Sequence, residues 1–214
     1  TEINKQQYLV NSERVEVLAR KQLNRSLFGN SHPLGRYAEL EDYDRITPEI
    51  LKRFYQTCYH SANCSAYVSG KVTPEVVRCI EQQFGDAAWG DVSQRVHHGE
   101  FAAAPDDRKR VFIEKEEALQ GSVKMGGFSL NRMHPDYLKL RVLITLFGGY
   151  FGSRLMSNIR EEKGYTYGIS AGVVCYPDTG VLVISSEAAN EYVEPLIAEV
   201  YKEIDILRTE RVDE

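Results

Sequence analysis

The chain has 214 residues and a formal net charge of −5, and 43% of its residues are hydrophobic. This composition is typical of a globular protein, and a chain of this length buries roughly 70% of its unfolded surface. The negative charge is spread along the sequence, which argues against a nucleic-acid-binding protein, because such proteins present a concentrated basic face. No run of about 18 apolar residues is present, so we expect no membrane span.

The first 86 residues are predicted to form helices around one strand. Apolar residues recur at helical spacing over 3–25. Two later segments, Thr47-Pro48-Glu49 and Thr73-Pro74-Glu75, combine a capping threonine with a proline in the first turn and therefore predict two helix starts. Between these helices, residues 63–69 alternate in the manner of a strand.

Residues 87–109 differ from the sequence on either side. They contain Gly90, Gly99, Pro105 and three successive alanines, and they show no sustained hydrophobic period. This composition is typical of a linker.

The elements after the linker come in runs of strands and runs of helices. They are strands at 111–113 and 120–128, helices beginning at Pro135 and at Ser153, strands at 165–175 and 180–187, and a last helix that Asn190 caps. Because strands and helices do not alternate strictly, we predict an α+β fold. The expected architecture is a two-layer sandwich, a mostly antiparallel sheet with helices packed on one face.

The histidines do not form a zinc-binding pattern. Catalytic zinc usually takes three protein ligands, two of them close together on one helix, but neither H-E-x-x-H nor H-x-x-E-H occurs. His97-His98-Gly99-Glu100 lies in the predicted linker, and we interpret it as a solvated loop. His32 is expected to shape a turn, and His60 and His134 are expected to be surface or helix-capping groups.

The stretch 148–172 is the most informative part of the sequence. Its glycine-rich start predicts a tight connection between helices and not a phosphate-binding loop. Arg160 lies near the end of the next helix, where a cation suits the helix dipole. Tyr165 and Tyr167 follow on a strand, where alternation places them on one face. Taken alone, these residues are a helix-end arginine beside strand aromatics.

Several short motifs in this half follow one another at characteristic spacing. They are Ser153-Arg154-Leu155, then Arg160-Glu161-Glu162-Lys163-Gly164-Tyr165-Thr166-Tyr167, then Tyr176-Pro177-Asp178-Thr179-Gly180. Earlier motifs are His32-Pro33-Leu34-Gly35-Arg36, Tyr59-x-x-x-Asn63 and Phe84-Gly85-Asp86. In this order they resemble the pitrilysin/insulinase family of zinc metallopeptidases, which includes the mitochondrial processing peptidases and their bacterial relatives. The resemblance covers nearly the whole chain.

The resemblance implies that the chain contributes to a peptidase active site. In such peptidases the first half supplies an inverted H-x-x-E-H and a more distant glutamate, and the second half supplies an arginine and a tyrosine seven residues apart. Arg160 and Tyr167 match that spacing, and we predict them as the catalytic-site residues of this chain. The tyrosine hydroxyl would donate to the scissile carbonyl, and the arginine would hold a peptide carbonyl or stabilise the same oxyanion.

The resemblance also implies that zinc is bound elsewhere. The chain begins too late to contain H-x-x-E-H, and counting back from His32-Pro33 places the third-ligand glutamate at about Gln6-Gln7, where glutamine is a poor zinc ligand. We therefore expect no metal ligand and no cofactor in this chain, zinc in the parent protein or in a partner half, and no peptidase activity of the chain alone.

The same comparison predicts the domain organisation and the partners. Residues 1–86 would be the C-terminal part of a first peptidase-like half and 87–109 a linker. Residues 110–214 would begin the second, inactive half, which bears the Arg/Tyr pair and is truncated at its C-terminus. The implied partners are a peptide substrate and a zinc-bearing half or subunit of the same family, and a homodimer or heterodimer is compatible with this. Four scattered cysteines lean towards a reducing, cytoplasmic compartment.

Two functions remain open at this point. The chain belongs either to a zinc endopeptidase, to which it contributes substrate binding, or to a non-catalytic family member that acts as a scaffold or partner subunit of a peptidase or respiratory complex. Retention of both Arg160 and Tyr167 favours a working cleft, and Gln6-Gln7 favours zinc that resides elsewhere.

Overall fold

The computed structural model describes residues 2–85, 87–93 and 101–210. The chain divides into two compact units, one of Thr1–Lys5 with Ala38–Phe101 and one of Gln6–Tyr37 with Ala102–Glu214. The helices are α1 (Glu2–Ser12), α2 (Val15–Phe28), α3 (Leu40–Arg45), α4 (Pro48–Cys58), α5 (Pro74–Ile80), α6 (Tyr137–Ile144) and α7 (Val193–Thr209). A further helix with wide, π-type turns, Met156–Glu162, carries Arg160 and is called the Arg160 helix here. In the described part of the chain, no helix is both long enough and apolar enough to cross a membrane.

The second unit is built on a three-stranded antiparallel sheet. Its strands are β1 (Gln120–Ser129), β2 (Thr166–Cys175) and β3 (Gly180–Ala189), and β3 lies in the centre. The register places Met125 of β1 opposite Ile184 of β3, which in turn lies opposite Ala171 of β2. Strands and helices in this arrangement confirm the predicted α+β fold.

Helices cover the apolar face of this sheet, as predicted. Val123 and Ile184 on the sheet are buried in one core with Ile159 of the Arg160 helix and with Leu196 and Val200 of α7. Ile184 lies opposite Met125 and therefore on the same face of the sheet. Val123, two residues before Met125, shares that face because successive side chains along a strand alternate between the two faces. Burying these side chains removes apolar surface from water, which is the main force that holds the layers together.

Helix α2 packs against β1 on the opposite side from this core. A Cβ added to Gly126 would lie 3.3 Å from a methyl carbon of Leu23, so the absence of a side chain at Gly126 lets the helix approach the strand. The buried ring of Phe28 meets Phe128 edge to face at 5.4 Å between ring centroids. Residues of α2, early in the sequence, therefore belong to the second unit.

Several predicted elements take a different form in the structure. The helix expected over 3–25 is broken into α1 and α2 at residues 13 and 14, where Arg14 has an extended backbone. The strands expected at 63–69 and 111–113 are not formed. Alternation shows that a segment suits a half-buried extended conformation, but a strand also needs a partner, and β1, β2 and β3 pair only with one another within the described residues.

In the first unit, α4 begins as the sequence predicts. The Thr47 hydroxyl accepts a hydrogen bond from the Ile50 backbone at 3.3 Å, and Pro48 occupies the first turn. The apolar side of the helix is open to solvent, however, because Leu51, Phe54 and Tyr55 are all more than half exposed.

His60 corrects one of the predictions. It was expected at the surface or in a cap, but it is 1% exposed, and neither ring nitrogen has a partner among the described residues. The segment at Trp89 and Gly90 covers it: Ser61 donates its backbone N–H to the Trp89 carbonyl at 2.9 Å. A Cβ on Gly90 would lie only 2.7 Å from that of His60. This burial depends on a contact about 30 positions away along the chain.

A buried carboxylate ties the Arg160 helix to α7. Glu203 on α7 is 6% exposed and accepts two hydrogen bonds, from Arg154 Nε and from Asn158 Nδ2, each at 2.8 Å. A carboxylate taken out of water needs such charge-assisted partners. This contact fixes both the start and the middle of the segment that carries Arg160.

Replacing Glu203 by alanine should destabilise the second unit by about 2 kcal/mol, because Arg154 and Asn158 lose their shared acceptor. Hydrogen exchange of the β3 amides measures this unit, whereas fluorescence of Trp89, the single tryptophan, reports on the first. Glu194→Ala on the same helix is the control. Its pair with Arg110 is exposed, so the loss should stay below about 1 kcal/mol. Equal losses in the two variants would contradict this role of Glu203.

Candidate functional site

The glycine-rich connection 148–152 leads into the Arg160 helix and lies against β2. A Cβ on Gly148 would come within 2.6 Å of the Ala171 backbone nitrogen, so this position admits glycine alone without a shift of the backbone. The sequence predicts a helix start at Ser153, where a serine hydroxyl commonly accepts a hydrogen bond from the first turn. The hydroxyl is instead buried and has no partner among the described residues. The Ser153 carbonyl accepts from the Ser157 backbone at 2.9 Å.

Arg160 is held against an aromatic ring. Its guanidinium carbon lies 4.5 Å from the centroid of the Phe151 ring, within the range of a cation–π contact. Glu161 adds a looser ion pair at 3.8 Å. The helix ends at Glu162, and Gly164 follows its capping residue Lys163 with a φ of +66°, which glycine adopts readily. The Arg160 side chain is 33% exposed, so the contact with Phe151 leaves part of it open to solvent.

Tyr167 projects into solvent and is 94% exposed. The pairing of β2 with β3 shifts register between Thr166 and Ile169. At this irregularity the Thr166 hydroxyl donates to the Glu187 carbonyl at 2.6 Å. Tyr165, which precedes β2, packs on the core and stacks on Tyr192 at 5.1 Å. The prediction that Tyr165 and Tyr167 share a strand face is therefore wrong, because regular alternation does not hold here.

A shallow pocket of about 410 Å³ is lined by the glycine-rich connection and by β2 and β3. Phe151, which stacks on Arg160, forms part of its wall, and Gly168, which follows Tyr167, forms another part. The remaining lining residues come from the glycine-rich connection, the Arg160 helix, β2 and β3. They are Gly148, Gly149, Tyr150, Met156, Ile169, Ser170, Ser185 and Glu187. Arg160 and Tyr167 are not in this lining, but each neighbours a residue that is: Arg160 contacts Phe151, and Tyr167 precedes Gly168 in the chain.

The charged groups around this surface are paired. Lys124 on β1 lies 3.2 Å from Glu187 and also donates to the Ser185 hydroxyl. Behind the Arg160 helix, Asn158 donates to Glu199 at 3.0 Å. This hydrogen bond, with Lys163 nearby, holds the pKa of the Glu199 carboxyl below its ordinary value of 4.5. Glu199 therefore stays ionised and keeps its contacts to the helix near neutral pH.

The described residues do not form a zinc-binding site. They contain no group of three histidine, cysteine or carboxylate side chains placed to hold a metal. Gln7, where the third zinc ligand of the family was expected, donates its side-chain amide to Asn11. The sequence His97-His98-Gly99-Glu100 lies outside the described residues. His32 and His134 use a ring nitrogen to accept from a nearby backbone N–H in their turns.

A family model of the peptidase M16 inactive domain matches residues 45–214. The chain belongs to this family. Membership confirms the resemblance to the pitrilysin/insulinase metallopeptidases that the motifs around Arg160 and Tyr167 predicted.

Bacterial relatives of this M16 inactive domain carry protease names. The chain is 27% identical over 169 residues to the probable inactive metalloprotease YmfF of Bacillus subtilis, covering 77% of the chain and 38% of the relative. It is 29% identical over 176 residues to an uncharacterized zinc protease of Rickettsia felis, covering 79% of the chain and 40% of the relative. The chain thus spans about two-fifths of the length of these curated relatives.

Solved structures share the fold of this M16 inactive domain. The peptidase M16 inactive domain from Pseudomonas fluorescens superimposes with a TM-score of 0.75 at 22% identity, covering 99% of the chain and 52% of that structure. A chain of complex III2 from Candida albicans gives a TM-score of 0.77 at 14% identity, covering 99% and 52%. At these identities the likeness concerns the fold alone.

Two residues of the M16 inactive domain matter to the site but were not singled out from the sequence. Phe151 was read as part of a connection, although an aromatic residue nine positions before an arginine, across a helix start, is a detectable pattern. Glu203 sits in an ordinary amphipathic helix, and its single distinguishing mark is a charge on the otherwise buried side of α7.

Replacing Phe151 by leucine should release the Arg160 side chain, because leucine keeps apolar bulk but has no ring face for the guanidinium. The Arg160 Nε–H resonance should then lose its ring-current shift and sharpen in an NMR spectrum. Phe151→Tyr is the matched control and should preserve both properties. An unchanged Arg160 resonance in Phe151→Leu would show that the ring does not hold the arginine.

Proposed function

We propose that this M16 inactive domain contributes peptide binding and transition-state stabilisation to a zinc-dependent metalloendopeptidase. The observation that supports the proposal is a pocket whose lining includes Phe151, which Arg160 contacts, and Gly168, which follows the solvent-exposed Tyr167. Zinc would be held by another half or subunit of the same family.

The two side chains have complementary properties for holding a peptide. The Tyr167 hydroxyl is free in solvent to donate a hydrogen bond where negative charge develops on a carbonyl oxygen. The guanidinium of Arg160 lies over the Phe151 ring, and its N–H groups can donate to a peptide oxygen because the side chain is 33% exposed and its ion pair with Glu161 is loose at 3.8 Å. Together they would hold two oxygens of an extended peptide or share the oxyanion.

The proposal implies a second, zinc-bearing partner that closes over the peptide. The chain covers two-fifths of its curated relatives, and the metal ligands of the family would come from a region or subunit outside these 214 residues. Either a single longer chain or a dimer would bring the two halves together.

A scaffold role is the second candidate, and a specific observation favours it. YmfF, which is 27% identical to the chain, is named a probable inactive metalloprotease. The similarity to a chain of complex III2 is compatible with a scaffold role, although it is a similarity of fold alone. A scaffold would need neither the arginine nor the tyrosine, so substitutions at Arg160 and Tyr167 separate the two functions.

The chain alone is expected to bind no zinc tightly and to cleave no peptide. Its described residues hold no metal-binding cluster, and zinc sites require several converging ligands. Metal analysis of the purified chain after dialysis against zinc, together with an assay on a fluorogenic peptide, tests this. Stoichiometric zinc or zinc-dependent cleavage by the chain alone would refute it.

In the assembled peptidase, Tyr167→Phe should lower kcat about 100-fold and change KM much less, because a hydrogen bond to the oxyanion strengthens in the transition state. Tyr165→Phe is the control, since Tyr165 stacks on Tyr192 inside the unit, and it should leave kcat within about twofold. Equal turnover by Tyr167→Phe and the parent would remove Tyr167 from the mechanism and favour the scaffold role.

A further inference from the structure

The start of β2 contains a β-bulge. The register pairs Thr166 with Ala188 and Ile169 with Ser186. Between these two pairs, two residues of β2 lie opposite a single residue of β3, and this two-against-one arrangement defines a bulge. Tyr167 is the first of the two residues. The side chain predicted for the site is therefore carried at the irregular point of the strand.

The bulge accounts for the direction of Tyr167. In a regular strand, side chains two positions apart share one face of the sheet, so Tyr167 would lie with Ile169 on the face that packs in the core. Ile169 is 3% exposed, however, whereas Tyr167 is 94% exposed. A residue inserted into one strand reverses the alternation of the residues before it. The exposure of the tyrosine thus depends on the bulge being kept.

The Thr166 hydroxyl bonds both strands at the bulge. It donates to the Glu187 carbonyl on β3 at 2.6 Å, and it accepts from the backbone N–H of Gly168 on β2 at 3.1 Å. The Ser186 hydroxyl adds a second contact, since it donates to the Gly168 carbonyl at 3.0 Å. The two hydroxyl oxygens lie 3.0 Å apart. Side-chain hydrogen bonds therefore connect the strands where the regular pairing is interrupted.

The position of Ser186 is informative because a hydroxyl is unusual there. Ser186 is 2% exposed and lies between Val123 of β1 and Ile169 of β2, both of which are buried in the core. Burying a hydroxyl among apolar side chains costs free energy unless it is hydrogen-bonded. Its donation to the Gly168 carbonyl offsets that cost and explains why a serine stands at an otherwise apolar position.

We propose that Thr166 and Ser186 are positioning residues for Tyr167. Their hydroxyls stabilise the bulge, and the bulge directs the tyrosine out of the core to where it can reach a peptide carbonyl. Neither hydroxyl touches the peptide, and both act through the backbone of Tyr167 and Gly168. The inference rests on the proposed function of Tyr167.

Hydrogen exchange of the Gly168 amide, followed by NMR on the 214-residue chain, tests the hold on the bulge. Thr166→Val keeps the shape of the side chain but removes the acceptor, so exchange at Gly168 should become about tenfold faster. Thr166→Ser keeps the hydroxyl and should exchange at the parent rate. Unchanged exchange in Thr166→Val would overturn the proposal.

Thr179→Val is the matched control for this experiment. It makes the same substitution near the other end of the β2–β3 hairpin, where the Thr179 hydroxyl lies 3.2 Å from the Gly180 carbonyl, and it should leave exchange at Gly168 unchanged. If Thr166→Val does not fold, Ser186→Ala replaces it. That variant removes one hydrogen bond from the bulge and should accelerate exchange at Gly168 about threefold.

Turnover by the assembled peptidase tests the positioning of Tyr167. Thr166→Val should lower kcat about tenfold and leave KM within about twofold, whereas Thr166→Ser should turn over like the parent. Combined with Tyr167→Phe, Thr166→Val should cause no further loss, because no tyrosine hydroxyl remains to be directed. Losses that multiply in the double variant would indicate a general defect of the fold and would overturn the proposal.

The outcomes separate this inference from the proposed function. Equal turnover by Tyr167→Phe and the parent defeats the proposed function, and exchange at Gly168 then decides by itself whether the hydroxyls hold the bulge. If Tyr167→Phe lowers kcat while Thr166→Val accelerates exchange at Gly168 but leaves kcat unchanged, the proposed function stands and the positioning role is overturned.

Discussion

The buried carboxylate of Glu203 is the interaction on which the candidate site depends. By accepting from Arg154 and Asn158 it locks the Arg160 helix onto α7, and α7 in turn packs on the sheet through Leu196 and Val200. The helix fixes Arg160, and the chain that leaves it after Gly164 enters β2 at Thr166. Arg160 and Tyr167 are therefore carried by elements that belong to the same packed unit as Glu203.

Much of the secondary structure was predictable from short-range sequence patterns. The three strands of the second unit, the helix start at Thr47 and the helix end before Gly164 all follow from patterns within a few residues. The resemblance carried by Arg160 and Tyr167 led to the family for the same reason, since its motifs are short and contiguous. The division of the parent protein at 87–109 stays a prediction.

Features that depend on distant contacts were not predictable in this way. Residues 63–69 alternate like a strand, but Tyr67 is 93% exposed and no described strand pairs with the segment. His60 is buried because Trp89 and Gly90 fold over it. Tyr167 faces solvent at a point where β2 shifts register against β3. In each case the sequence indicates a local preference, but contacts with residues elsewhere in the chain determine whether the strand forms or the side chain is buried.

The stacking of Arg160 on Phe151 has a thermodynamic consequence for any ligand. A free arginine side chain carries about 2 kcal/mol of rotamer entropy, which a ligand must overcome when it immobilises the side chain. In this fold the ring already restricts the guanidinium, so part of that entropy is lost when the chain folds. Ligand capture should therefore be less opposed by entropy than it would be at a mobile surface arginine.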